Sequence, residues 1–141
     1  MSAPLYTLEI LRLAAATAET PRLADPSGSA ERRSRTCGSV VTVDVKLDAD
    51  GRVTAFGHQV NACALGQASA TVLARHAVGA NAGEVAALAA GITSFFDGTR
   101  EALPDWPDID ILARAKPYPA RHAAVRLPFE AAVAAIKDAR R

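Results

Sequence analysis

The sequence has few aromatic residues, only two cysteines and no long apolar run. Aromatic side chains make up 5% of its 141 residues, although hydrophobic residues make up 50%. Most of these are alanine, valine and leucine, a composition that suits helices packed closely over a small sheet. No stretch approaches the roughly 18 consecutive apolar residues of a membrane span, so a membrane protein is not predicted.

Neither sign of charge prevails. Sixteen basic and fifteen acidic residues leave a net charge of +1, which gives no electrostatic indication of nucleic-acid binding. Glu9 and Arg12 interrupt the first apolar stretch, and no basic region precedes it as in a secretion signal. We therefore expect a cytoplasmic protein, with residues 1–141 forming a single domain.

The scarcity of cysteine excludes some classes of protein. Cys37 and Cys63 do not form the CxxC pair of a structural zinc site. In a chain without a secretion signal, two cysteines are more often free thiols or ligands than a disulfide framework. No glycine-rich phosphate loop occurs, and Ser69 has no nucleophile motif around it. An enzyme is therefore not predicted.

The first part of the chain reads as a helix followed by a loop. Residues 4–19 should form a helix whose buried stripe is Leu5, Leu8, Leu11 and Ala15. Residues 20–39 are rich in proline, glycine, serine and arginine, which predicts a loop.

The clearest pattern in the sequence is a strand alternation. "VVTVDVKL", from Val40, places Val41, Val43, Val45 and Leu47 on one face and Thr42, Asp44 and Lys46 on the other. "DADG" predicts a hairpin turn, and a second strand should run from Arg52 to about Asn61. This predicts an antiparallel sheet with one solvent-exposed face.

Helical spacing begins at Cys63 and recurs to the end of the chain. One helix should start there, a second near Ala82, and a short one should span residues 109–113. The last helix is expected to carry Pro128 in its first turn, with a buried stripe of Phe129, Ala132, Val133 and Ile136. This order predicts an α+β domain with the helices on one face of the sheet.

The hairpin is expected to bring both cysteines to the same end of the sheet. Two soft ligands at one rim make a metal or sulfur site feasible. The start of a helix stabilises a thiolate at Cys63, and nearby guanidinium groups should do so at Cys37. Those groups belong to Arg32, Arg33 and Arg35.

Further ligands would have to come from histidine. His58 precedes Cys63 on the returning strand, and His122 lies just ahead of the last helix. His76 lies about three turns into the Cys63 helix, too far along to join that cysteine.

The order and spacing of these segments resemble the U-type iron–sulfur cluster assembly scaffolds, the group of IscU, SufU and the NifU N-terminal domain. The resemblance rests on "CGS" at Cys37, "ACALGQASATVL" around Cys63 and "PARHAAVRLPFEAAVAAI" near the end. It implies a three-stranded antiparallel sheet with helices packed on one face. It also implies a scaffold that takes sulfur from a cysteine desulfurase, binds iron or zinc, and passes a nascent [2Fe–2S] cluster to acceptor proteins.

Two positions depart from the pattern of that family. Ser39 stands where the family has an aspartate, and Ala124 stands where it has a third cysteine. Cys37 and Cys63 are therefore the predicted cluster or metal ligands, with His122 as the predicted substitute for the third. Two protomers that share a cluster would supply four thiolates, so a homodimer is one predicted state.

Two other functions stay open at this point. The chain could be a degenerate scaffold that acts as a metal-free interaction or regulatory module. It could also be a sulfur relay, in which Cys37 or Cys63 accepts a persulfide and transfers it without building a cluster.

Overall fold

A computed structural model describes residues 5–141. Its main elements, in chain order, are α1 (Leu8–Ala15), β1 (Gly28–Arg33), β2 (Val40–Leu47), β3 (Val53–Asn61), α2 (Ala64–Ala74), α3 (Ala82–Asp97) and α4 (His122–Ala139). Short 3₁₀ turns lie at Ala16–Glu19, Ile109–Ala115 and Pro119–Arg121. The strands form one antiparallel sheet in the order β1-β2-β3, which confirms the predicted α+β class. Within the described part of the chain, no helix has both the length and the apolarity to cross a membrane.

Strand β1 lies in the segment that was predicted to be a loop. It pairs with β2 from Gly28 opposite Val45 to Arg33 opposite Val40. Its sequence, "GSAERR", has no apolar alternation because β1 is an edge strand with a charged, exposed end. The strand is held by its ladder with β2 and by α4, where Asp138 Oδ2 accepts from the Ser29 N–H at 3.0 Å.

Helix α4 covers β1 and β2 and is the centre of the core. It also packs against α2 and α3. Val41, Val43 and Val45 are buried beneath it, as the alternation predicts. Gly28 permits the close approach, since a Cβ there would collide with the Ala135 carbonyl.

The last helix is longer than predicted. Because α4 begins at His122, Pro128 lies inside the helix and not in its first turn. A proline at this position cannot donate the usual hydrogen bond to the carbonyl of Ala124. The predicted buried stripe is confirmed for Phe129 and its neighbours Ala132 and Ile136, whereas Val133 is partly buried.

Helix α1 turns the opposite face to the core from the one predicted. Leu8 is 61% exposed and Leu11 is 48% exposed. The buried residues of this helix are Ile10, Leu13 and Ala14. The predicted and the observed stripes both have helical spacing, so the sequence alone does not show which one is buried. Contact with α2 determines it, since Thr71 Oγ1 donates to the Leu13 carbonyl at 2.7 Å. Residue 4, the predicted first residue, lies outside the described residues.

Residues 20–23, the crossing segment, pass from the helix side of the sheet around the edge of β3 to the other face. The Thr20 carbonyl accepts from the His58 N–H at 3.3 Å. Pro21 then passes over Gly57, where a Cβ would lie 2.5 Å from the Pro21 carbonyl oxygen. The second face of the sheet is therefore partly covered, contrary to the prediction.

The crossing segment is fastened to Asp44, which is fully buried and not solvent-exposed as predicted. The carboxylate accepts from Arg22 Nε at 2.7 Å and Nη2 at 3.1 Å. It also accepts from the Leu23 N–H at 3.0 Å and from Ser29 Oγ at 2.7 Å. Burial alone would raise the pKa of Asp44, but the hydrogen bonds from Arg22, Ser29 and Leu23 hold it below its ordinary value.

We expect Asp44→Asn to lower the free energy of unfolding by roughly 2–4 kcal/mol at pH 7, because the charge that pairs with Arg22 is lost and the new amide N–H₂ would face the N–H donors of Arg22 and Leu23. The folded pKa is depressed, so the contribution of Asp44 is complete above about pH 4 and lost as the pH falls through the folded pKa. Urea unfolding at a series of pH values measures both effects. The control is Asp50→Asn in the exposed hairpin turn. Equal losses in the two variants at pH 7 would contradict the assignment.

A cysteine site at one end of the sheet

Cys37 lies in the loop that joins β1 to β2. The Ser34 N–H donates to the Ser39 carbonyl at 2.9 Å, and the Gly38 N–H donates to the Ser34 carbonyl at 3.0 Å. Gly38 has a φ of 73°, a left-handed conformation that glycine adopts without strain. The loop is therefore closed by its own main chain and leaves Cys37 exposed.

The Cys37 thiol is hydrogen-bonded within this loop. The Cys37 Sγ lies 3.1 Å from Ser39 Oγ. The main-chain N–H of Cys37 donates to Ser34 Oγ at 3.5 Å. Burial raises the pKa of Cys37, but hydrogen bonds with Ser34 and Ser39 outweigh it, so the pKa falls below its ordinary value. The direction agrees with the prediction, whereas the cause is hydrogen bonding by the Ser34 and Ser39 side chains and by the main chain of the loop, and not the guanidinium groups.

Cys63 is the N-cap of α2, as the change of period predicts. Its backbone is extended, with φ −63° and ψ 167°, and its carbonyl accepts from the Gln67 N–H at 2.9 Å. The thiol makes no capping hydrogen bond and is half-buried. Val40 pairs with Asn61 at the end of the β2–β3 ladder. Cys37 precedes Val40 and Cys63 follows Asn61, so the two cysteines lie at the same end of the sheet.

Ala124 lies beside the start of α2. A Cβ on Gly66 would lie 3.4 Å from the Cβ of Ala124, and Ala124 is itself only 2% exposed. Ser69 Oγ donates to the Val125 carbonyl at 2.6 Å, which ties the two helices together and gives Ser69 a packing role. A methyl group therefore stands beside Gly66, in the first turn of α2, at the position where the scaffold pattern has a third thiol.

His122 is hydrogen-bonded to main-chain carbonyl groups. Its Nε2 lies 2.9 Å from the Ala115 carbonyl and 3.1 Å from the Lys116 carbonyl. Since both partners are acceptors, Nε2 carries a proton and donates. The ring lies against Phe96 with centroids 4.4 Å apart. Among residues 5–141, no three His, Cys, Asp or Glu side chains are arranged to hold a metal ion, so the predicted ligand role of His122 gains no support.

The other two histidines are also structural. His58 is buried, with Nε2 3.0 Å from the Thr17 carbonyl. Burial lowers the pKa of His58, and the hydrogen bond to Thr17 opposes this only in part. His76 packs edge-on against Trp106, with centroids 6.4 Å apart.

The fold and the site define a class of protein: a small α+β domain that presents two thiols at one end of a three-stranded antiparallel sheet. A crystal structure of a NifU-like N-terminal protein from Brucella abortus is 36% identical over 96% of this chain and 94% of that chain, with a TM-score of 0.89. The chain therefore belongs to the family of NifU-like N-terminal domains, and the resemblance to U-type scaffolds is confirmed.

Two further solved structures share the fold. One is described as a putative iron–sulfur cluster assembly scaffold protein for the SUF system, from Fervidobacterium islandicum; it has a TM-score of 0.82 and 19% identity, over 94% of this chain and 96% of that chain. The other, a hypothetical protein, has a TM-score of 0.67 and 22% identity, over 91% and 96%. No protein-family model and no curated protein matches the chain.

The hydroxyl partners of Cys37 were not predicted from the sequence. Ser34 and Ser39 are the first and last residues of the β1–β2 loop, and they are 8% and 4% exposed. Had β1 been predicted as a strand, Ser34 and Ser39 would have been expected to face each other at the two ends of a hairpin loop.

We expect Ser39→Ala to raise the pKa of Cys37, because the thiolate loses a hydrogen bond that stabilises it. Ser39→Thr keeps the hydroxyl group and should keep the pKa low. The rate of alkylation by iodoacetamide as a function of pH measures this, in a Cys63→Ala background so that only one thiol reacts. An unchanged pKa in Ser39→Ala would show that Ser39 does not act on the thiol.

Proposed function

We propose that this chain is a non-enzymatic, cytoplasmic scaffold-like protein of iron–sulfur cluster assembly. It carries iron, zinc or a nascent [2Fe–2S] cluster on Cys37 and Cys63, receives sulfur from a cysteine desulfurase and delivers its cargo to acceptor proteins. The observation that supports this is the placement of two thiols at one end of the sheet, one exposed and one half-buried. The kinship with NifU-like N-terminal domains supports the same role.

The ligand set of one chain is smaller than a cluster requires. Iron–sulfur clusters are usually held by four thiolates, and Cys37 and Cys63 supply two. Ser39 Oγ is hydrogen-bonded to Cys37 Sγ, and Ala124 offers a methyl group. In this proposal the remaining ligands come from outside the chain, from a second protomer or from a partner protein.

Anaerobic reconstitution with iron, a cysteine desulfurase and cysteine tests the proposal. Absorption spectra and counts of iron and labile sulfide should show cargo on the wild type and its loss in Cys37→Ala and Cys63→Ala. A wild type that holds neither iron nor labile sulfide would contradict the proposed role as a carrier of iron or a cluster and favour the metal-free interaction module.

A third cysteine introduced at position 124 tests whether this position belongs to the cysteine site. Because Ala124 lies beside the start of α2, Ala124→Cys should add a third thiolate and slow the loss of iron to a chelator by about tenfold or more. Ala123→Cys, one position earlier on α4, is the matched control and should leave the rate unchanged. Equal effects of the two variants would place position 124 outside the site.

Sulfur relay is the second candidate, and the exposed, hydrogen-bonded thiol of Cys37 favours it. The Cys37 thiolate attacks the outer sulfur of the persulfide on the desulfurase, and the sulfur–sulfur bond of that persulfide breaks. The cysteine of the desulfurase leaves as a thiolate while a new persulfide forms on Cys37. The step exchanges one sulfur–sulfur bond for another and needs no external oxidant or reductant.

Mass spectrometry after incubation with the desulfurase and cysteine tests the relay. We expect one added sulfur atom in the wild type and in Cys63→Ala, and none in Cys37→Ala. An adduct that persists in Cys37→Ala would contradict the assignment of Cys37 as the acceptor.

A further inference from the structure

The outer edge of β1 carries main-chain groups that the sheet does not use. The Ser34 N–H donates to the Ser39 carbonyl in step with the β1–β2 register, so the even-numbered residues of β1 are the ones that hydrogen-bond to β2. The odd-numbered residues therefore turn their N–H and C=O groups away from β2. Ser29 shows this arrangement, because its N–H donates to Asp138 on α4.

Further along β1, this outer edge is open. Glu31 and Arg33 are exposed, and neither of their outward N–H groups has an acceptor among residues 5–141. The Glu31 carbonyl is partly engaged, since it accepts from Arg32 Nη1 at 2.8 Å. Two N–H donors and the Arg33 carbonyl are thus free to pair with another strand, which is how exposed sheet edges bind extended peptides.

The charge beside this edge selects what can pair with it. Residues 31–35 contain three arginines and one glutamate, so their net charge is +2. Glu31 is already paired with Arg33 at 3.0 Å, whereas Arg32 and Arg35 form no ion pair within residues 5–141. A second copy of the chain would bring an equally basic strand to this edge and would be repelled, whereas an acidic strand is attracted.

We propose that the outer edge of β1 binds an extended, acidic segment of a partner protein, which becomes a fourth strand of the sheet. The main-chain groups of Glu31 and Arg33 hold the segment by strand pairing, which does not depend on its side chains. The guanidinium groups of Arg32 and Arg35 attract its carboxylates and so make the edge selective for acidic segments.

The bound segment lies on the strand that leads into the cysteine loop. Arg33 is followed by Ser34, the first residue of the β1–β2 loop that carries the exposed thiol of Cys37. A partner that docks here is therefore brought to the end of the sheet where the thiols lie. Binding at this edge does not depend on what Cys37 and Cys63 carry, so this proposal and the proposed function can fail independently.

Titration of the ¹⁵N-labelled chain with a terminally blocked hexapeptide of alternating threonine and glutamate tests the proposal. The amide signals of Glu31 and Arg33 should shift, and hydrogen exchange of both amides should slow by about tenfold at saturation, because each N–H gains an acceptor. The Ser29 amide already has an acceptor, so its exchange should not change. Unchanged signals of Glu31 and Arg33 up to about 5 mM peptide, which exceeds the dissociation constant of a millimolar complex, would overturn the proposal.

Charge is tested on both partners. A hexapeptide of alternating threonine and lysine should bind at least about tenfold more weakly, and equal affinity of the two peptides would overturn the selectivity for acidic segments. Arg32→Glu and Arg35→Glu should each weaken binding of the glutamate peptide several-fold at low salt. Arg114→Glu, in the 3₁₀ turn at Ile109–Ala115, is the control and should not. Equal losses in the three variants would contradict the role of Arg32 and Arg35.

Proline at position 31 tests the main-chain pairing. Glu31→Pro removes the outward N–H and leaves the hydrogen bonds between β1 and β2 in place, since proline is tolerated on an edge strand. Glu31→Ala removes the same carboxylate and keeps the N–H, so it is the matched control. The proline variant should bind the glutamate peptide at least about tenfold more weakly than the alanine variant, and equal affinity would overturn the strand pairing.

Circular dichroism of each variant shows whether the fold is kept. Should Glu31→Pro not fold, Arg33→Pro replaces it, because the N–H of Arg33 also points outward. Its matched control is Arg33→Ala, and the same difference in affinity between proline and alanine is expected.

Discussion

The buried carboxylate of Asp44 is the constraint on which the rest of the structure depends. An ionised group in the core would cost several kcal/mol if it were left unpaired, so the fold requires Arg22, Leu23 and Ser29 to reach it. These donors come from the crossing segment and from β1, on both sides of β2. One side chain thus fixes the path of the chain from α1 around the edge of β3 and the position of β1 at the far edge.

The geometry of the cysteine end follows from the same sheet. Cys37 lies on a hairpin loop and Cys63 on a helix cap, and neither segment has a core of its own. Their relative position is set by the β2–β3 register, in which a slip of one residue would turn the buried valines to solvent. The α2–α4 contact at Gly66 places Ala124 at the same end. The position of the site therefore depends on the ladder that supports it, although its ligands are few.

The parts of the fold that the sequence predicts correctly are those with an unambiguous period. The alternation of β2 identifies the sheet, and the change of period at Cys63 locates α2. Strand β1 has no such signal, because an edge strand is defined by its neighbour and not by its own side chains. In α1 two apolar stripes have the same spacing, so the burial of Leu8 or Leu13 depends on contact with α2. The cysteines could be identified from sequence because their chemistry is distinctive. The contact of Ser39 with Cys37 could not, because a hydroxyl group acts only through its position.

The N-cap of α2 carries a conflict between stability and chemistry. Cys63 has the extended backbone of a good cap, yet its thiol caps no N–H group of the helix. Serine or aspartate at this position typically contributes about 1 kcal/mol more through a capping hydrogen bond. Selection for stability alone would therefore replace the sulfur. Replacement of Cys63 by a capping residue would therefore stabilise the helix and remove the thiol. At this position the residue that is best for folding differs from the residue that the proposed chemistry requires.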